Sequence, residues 1–152
     1  VIQKAIISGI NRNTTMMIKA PGSIVGVTGI KRTANKISTW RDKLGPRKAG
    51  LYLGQIVRMQ EEIGTGGGGF RFLYAAFLEQ AADYLQEDRL MSISDQFTKA
   101  GDLWRSSAVQ MAGIYKGRLT EQKDYDAITD IMTEISDIEK NAFKQLNKLK
   151  LK

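Results

Sequence analysis

The sequence predicts an all-α domain of about six helices in an irregular bundle, with a long helical hairpin at its C-terminal side. Three observations carry that reading. Apolar residues recur at spacings of three and four along most of the chain. No run alternates apolar and polar residues for long enough to argue a strand, and both prolines, Pro21 and Pro46, fall in connections.

Taken in order, Val1, Ile2, Ala5, Ile6, Ile7 and Ile10 form the first stripe, which Met16 to Ile18 extend. The polar stretch Asn11 to Thr15 predicts fraying or a break, because Asn and Thr compete with the helix for backbone hydrogen bonds. The run Lys19 to Gly22 stops this helix, and Ser23 is the expected N-cap of the next. That second helix has Val27, Ile30, Ala34, Ile37, Trp40 and Leu44 on one face, with Lys31, Arg32, Lys36 and Lys43 opposite. Gly45 and Pro46 end it. A third helix is expected over 49–63 and a fourth from Phe70 through Leu85. The fifth is the clearest, with Leu90, Ile93, Phe97, Ala100, Trp104, Ala108, Met111 and Tyr115 spanning about seven turns to Gly117. Thr120 or Asp124 then caps a sixth helix whose stripe is Ile128, Ile131, Ile135, Ile138, Ala142, Leu146 and Leu149.

The chain's 152 residues suit one domain. It opens on Val1 rather than methionine, so the expectation is a piece of a longer protein. No apolar run approaches the ~20 residues that cross a bilayer. With no cysteine there is no disulfide framework, and with no histidine the commonest general base and metal ligand are missing. A soluble, cytoplasmic protein is expected. Charge is uneven: residues 1–60 hold 11 Lys or Arg against the single Asp42, whereas residues 61–152 hold 12 against 15 acids. A basic N-terminal half favours an acidic partner.

The stretch Glu61 to Leu78 organises the rest. Gly64, Gly66, Gly67, Gly68 and Gly69 fall between two helical patterns, so the backbone there needs positive φ or a close neighbour. Amides at the start of the following helix, from Phe70 to Leu73, are expected to point outward unpaired, a geometry that suits an anion or a partner's carbonyl groups. Glu61 and Glu62 end one helix and Arg71 begins the next, each with the wrong sign for its helix end. Either they pair across the turn, or Arg71 and the glycine amides together hold an anion. The run is neither a Rossmann nor a P-loop fingerprint, since the flanking elements and the lysine are absent. Glu79 and Asp83 share a helix face but have no further ligands, so no metal site is expected. No catalytic residue is assigned. The candidate ligand- or partner-binding residues are Gly66, Gly67, Gly68, Gly69, Phe70, Arg71, Tyr74, Asp102, Trp104 and Arg105, with Trp104 also placed in the apolar stripe.

IGTGGGGFRFLYAAFL (63–78), followed by GDLWR (101–105), resembles the C-terminal helical domain of the butirosin biosynthesis protein H family. Members of that family join a cysteine-peptidase-like N-terminal domain to this helical one, and the namesake moves an acyl group from a carrier-protein thioester to an aminoglycoside amine. The resemblance implies an accessory domain in antibiotic biosynthesis that binds substrate or carrier and contributes to dimerisation. It implies as partners the cysteine-containing N-terminal domain and an acidic acyl carrier protein with its phosphopantetheine arm. This chain, lacking cysteine and histidine, is expected to hold no cofactor and to be catalytically silent alone. The alternative is a non-enzymatic basic helical module that binds nucleic acid or another acidic partner, with Trp40 and Arg41 available for stacking or phosphate contact.

Overall fold

A computed structural model describes all residues, Val1–Lys152. The fold is all-α: α1 (Ile2–Ile18), α2 (Gly26–Leu44), α3 (Pro46–Val57), α4 (Arg71–Leu85), α5 (Arg89–Tyr115) and α6 (Gln122–Leu149). No helix is long and apolar enough to cross a membrane. The expected hairpin is formed by α5 and α6, of 27 and 28 residues, joined by a short connection in which Gly117 takes φ +72°. Helix α6 packs on α1, α2 and α5, and α5 carries α3 and α4 on its other sides.

Side chains of α6 fix its approach to α2 by donating into the backbone of α2. Thr129 Oγ1 donates to the Ala34 carbonyl at 2.7 Å, Ser136 Oγ to the Val27 carbonyl at 2.8 Å, and Gln122 Nε2 to the Ser38 carbonyl at 2.6 Å. Small donors and Ala34 let the two backbones come close, and the hydroxyls of Thr129 and Ser136 both find a partner there.

The core has two halves along the hairpin. One gathers Ile10, Val27, Leu78, Leu90, Phe97 and Phe143. The other gathers Ala34, Ile37, Leu53, Trp104, Met111 and Ile128. Each long helix contributes to both, and between Phe97 and Trp104 on α5, and between Ile135 and Ala142 on α6, the chain crosses a seam.

Four sequence expectations are corrected. Helix α1 runs unbroken through Asn11–Thr15, because Thr14 is buried and tertiary packing outweighs the weak local propensity. Ser23 does not cap α2: Val25 stands at that position, and Ser23 Oγ instead accepts from Arg32 Nη1 at 2.6 Å. Helix α3 starts at Pro46, whose fixed φ suits a first helical position, and ends at Val57, where one π-helical turn (Arg58–Glu62) replaces the expected continuation. The cap of α6 is Glu121, not Thr120, and Asp124 reaches back to accept the Glu121 amide at 2.9 Å.

Helix α4 meets α5 at Gly101. A Cβ there would lie 2.7 Å from the Phe72 ring, which leaves no room for any other residue without moving the ring. Gly101→Ala is expected to lower the unfolding free energy by about 1–3 kcal/mol through overpacking. Gly9, on an open face of α1 with nothing within 4 Å of a built Cβ, is the control: Gly9→Ala gains about 0.5–1 kcal/mol. Urea unfolding of both variants checks the pair.

Candidate functional site: the glycine turn

The π-helical turn ends at Glu62, and the chain then reverses over α5. Gly66, Gly67, Gly68, Gly69 and Phe70 all have positive φ, at 67°, 80°, 58°, 55° and 70°. Glycine adopts that region at no steric cost, whereas a bulky L-residue pays for it. At Gly68 a second constraint applies, because a Cβ would lie 2.9 Å from the Phe72 ring and 3.2 Å from the Gly101 Cα. Both sequence expectations for the glycines therefore hold together: positive φ, and close approach by the chain's own α5.

The turn is closed by its own side chains. Thr65 is buried, its Oγ1 donates to the Gln60 carbonyl at 2.6 Å, and it accepts the Gly67 amide at 3.2 Å. The Gly68 amide donates to both Glu61 carboxylate oxygens at 3.1 Å. Gln60 Nε2 ties the π turn to α5 through the Trp104 carbonyl at 2.8 Å. Of the amides expected to point outward from Phe70 to Leu73, that of Arg71 is spent inside the turn, and so are two of the glycine amides before it. The Gly67 and Gly68 amides are filled internally, the Arg71 amide donates back to the Gly68 carbonyl, and Glu61 occupies the place proposed for an external anion.

Arg71 does not pair with Glu61 or Glu62. Its Nε donates to Glu139 Oε1 at 2.5 Å, its Nη2 to Glu139 Oε2 at 3.3 Å, and its Nη1 to the Gly69 carbonyl at 2.6 Å. Its guanidinium also lies over the Trp104 ring at 5.1 Å. Glu139 is 1% exposed, so a single arginine locks the glycine turn onto a buried carboxylate of α6 and onto the indole of α5. Glu61, freed from Arg71, faces Arg105 at 3.9 Å, and Arg105 lies over Phe72 at 5.5 Å.

The two sequence motifs thus meet in space. Gly66 to Arg71, Trp104 and Arg105 form one assembly. Asp102 does not join it: the residue is exposed and its carboxylate makes no hydrogen bond or ion pair. Glu79 and Asp83 are exposed on α4, and no three His, Cys, Asp or Glu residues lie together as a metal site. Tyr74 sits one turn beyond Arg71, with its ring edge-on to Phe97 at 4.9 Å and tilted against Phe143 at 6.0 Å. Its hydroxyl is shut off from water without a hydrogen-bond partner. Burial pushes its phenol above the ordinary 10.0, with weaker opposing pulls from Asn13 and Thr14.

Tyr74, Arg71, Glu139 and Phe70 line a half-open cavity of about 240 Å³ between the turn and α1, walled by Met17, Phe97 and Phe143. Sequence reasoning missed Glu139, Gln60 and Thr65. Glu139 left a readable trace, since it lies four residues after Ile135 and three before Ala142, a carboxylate on the apolar stripe of α6. Gln60 and Thr65 left none, because their roles depend on the π turn.

Fold and site together define an all-helical domain built around a self-closed glycine turn. The chain belongs to the family DUF4872, a domain of unknown function, which it matches over residues 1–146. No curated protein and no solved structure matches it.

Two outcomes test the site's electrostatics. Arg71→Met leaves Glu139 buried without a counter-charge and is expected to cost about 3–5 kcal/mol, while Arg71→Met combined with Glu139→Met regains most of that loss. A double-mutant cycle in urea reads the difference. The raised Tyr74 phenol favours the neutral form in the fold, so its contribution is full below pH 10.0 and is lost as pH rises through the higher folded value. Tyr74→Phe should therefore lose less stability between about pH 8 and about pH 11 than the parent chain.

Proposed function

We propose that this domain is the non-catalytic, partner-binding half of an acyltransferase-like protein of the butirosin biosynthesis protein H kind. Its glycine turn docks against the domain that carries the reactive cysteine, or against the acylated phosphopantetheine arm of an acidic carrier protein. The observation that carries this reading is Phe70. The residue is 55% exposed and holds φ +70°, a left-handed conformation that costs a non-glycine residue about 1–2 kcal/mol. A chain that already spends four glycines on this turn could have spent a fifth. An exposed aromatic kept in a strained backbone, on a frame fixed from below by Arg71 and Glu139, is the kind of feature that contacts a partner. Leu73, also 55% exposed, lies one turn along α4 and extends the apolar surface.

Charge agrees with an acidic partner. Lys31, Arg32, Lys36 and Lys43 stand together on the open face of α2, where they can steer a carrier protein towards the domain. The same row favours a second reading, a nucleic-acid module. The two separate on salt: nucleic-acid binding falls steeply and linearly in log affinity with log salt. A specific protein complex centred on Phe70 depends on that side chain instead.

The deciding variant is Phe70→Gly. It is expected to raise stability by about 1 kcal/mol by relieving the left-handed strain, while weakening binding to the cysteine domain or to an acylated carrier protein at least about tenfold. Calorimetric titration and urea unfolding of the same preparation read both quantities. Binding that survives Phe70→Gly unchanged overturns the reading. Sedimentation of the chain alone identifies a homodimer that uses this surface instead.

A further inference from the structure

The cavity behind the turn carries an inference that does not depend on acyl transfer. We propose that it is a binding site for a small neutral molecule with an apolar body and one amide- or alcohol-like head. Size is the first argument. An engineered apolar cavity of about 150 Å³ holds benzene, so about 240 Å³ accommodates on the order of ten non-hydrogen atoms. The body of such a ligand meets Met17, Phe97 and Phe143, of which the two phenylalanines are buried. An apolar lining with few polar groups is the usual composition of a small-molecule site.

Charge excludes the obvious ionic ligands. All three guanidinium nitrogens of Arg71 are engaged, two by Glu139 and one by the Gly69 carbonyl, and both Glu139 oxygens are engaged in return. Neither group has a free charge to offer. A carboxylate ligand would face Glu139, and an ammonium ligand would have to displace Arg71 from it. The unspent polarity is neutral. The Tyr74 hydroxyl makes no direct hydrogen bond although it is buried, and of the two side chains that pull on its phenol, Asn13 lines the same cavity and Thr14 keeps its own buried hydroxyl unpaired. A buried hydroxyl left unpaired is costly, and a ligand amide or alcohol would satisfy it. Phe70 is the most exposed lining residue, which places it at the mouth.

The test uses benzamide and hexanamide as neutral probes, with benzoate and benzylammonium as charged counterparts, on the ¹⁵N-labelled chain. Saturable shift changes centred on Asn13, Tyr74 and Phe143 are expected for the amides, with dissociation constants on the order of a millimolar. The charged probes are expected to bind at least about tenfold more weakly. Tyr74→Phe should weaken amide binding roughly threefold to tenfold, the loss of one hydrogen bond. Met17→Trp, which fills the cavity, should abolish it, with far-ultraviolet circular dichroism confirming that both variants stay helical. Absence of saturable shifts, equal binding of a charged probe, or undiminished amide binding in Tyr74→Phe or Met17→Trp overturns the proposal.

Discussion

The buried contact between Arg71 and Glu139 is the constraint on which the rest of the structure depends. Glu139 lies on α6 between Ile135, which belongs to one half of the core, and Ala142, which belongs to the other. A carboxylate at that depth cannot stay ionised without a counter-charge, and the only cation in contact is Arg71, delivered from 68 residues away by the start of α4. Because Arg71 also holds the Gly69 carbonyl, the same side chain fixes the last glycine of the turn. Because its guanidinium covers the Trp104 ring, it closes the upper edge of the second core half. Pairs of this kind often add little net stability over an apolar substitute. What they add here is position, since only one placement of the turn satisfies the carboxylate, the carbonyl and the indole at once.

The glycines follow from that placement. To carry Arg71 down to Glu139, the chain must leave a π-helical turn, reverse over α5 and enter α4 within a few residues. It does so through five consecutive residues of positive φ and one approach to Gly101 at a distance that excludes a side chain. The acids of the preceding turn then find work inside the protein. Glu61 accepts the Gly68 amide and faces Arg105, so the misplaced charge at a helix end is neutralised by the loop that follows it. An anion-binding nest and a self-capped turn have the same glycine-rich sequence, and what separates them is one carboxylate seven residues upstream.

That distinction marks how far the sequence could be read. The long helices α5 and α6 are legible because period-3.6 stripes over seven turns report directly which face is buried, and Trp104 falls on its stripe as expected. The meeting of the glycine run with the GDLWR segment is not contained in either stripe. Periodicity tells which face looks inward and is silent on what faces it, so the sequence offers Arg71 either its nearest acids, Glu61 and Glu62, or an external anion, whereas its partner lies on α6. Local propensity misled in the opposite way at Asn11–Thr15, where packing of Thr14 under the neighbouring helices keeps α1 continuous. Asp102 and Arg105 flank Trp104 in the GDLWR segment, yet residues two apart on a helix point about 200° from one another, and Asp102 faces water.

The strained Phe70 and the unpaired Tyr74 hydroxyl occupy two sides of one arrangement. Both are departures from what stability alone would select: the first keeps an aromatic where glycine fits, the second keeps a hydroxyl where phenylalanine fits. The hydroxyls of Thr129, Ser107 and Ser136, by contrast, are all paired in the packed helices. Loose packing does not account for these two, because the turn around them is cross-linked by Gln60, Thr65, Glu61 and Arg71. A frame held that firmly, which meets solvent at Phe70 and borders a cavity at Tyr74, is suited to complement something outside itself.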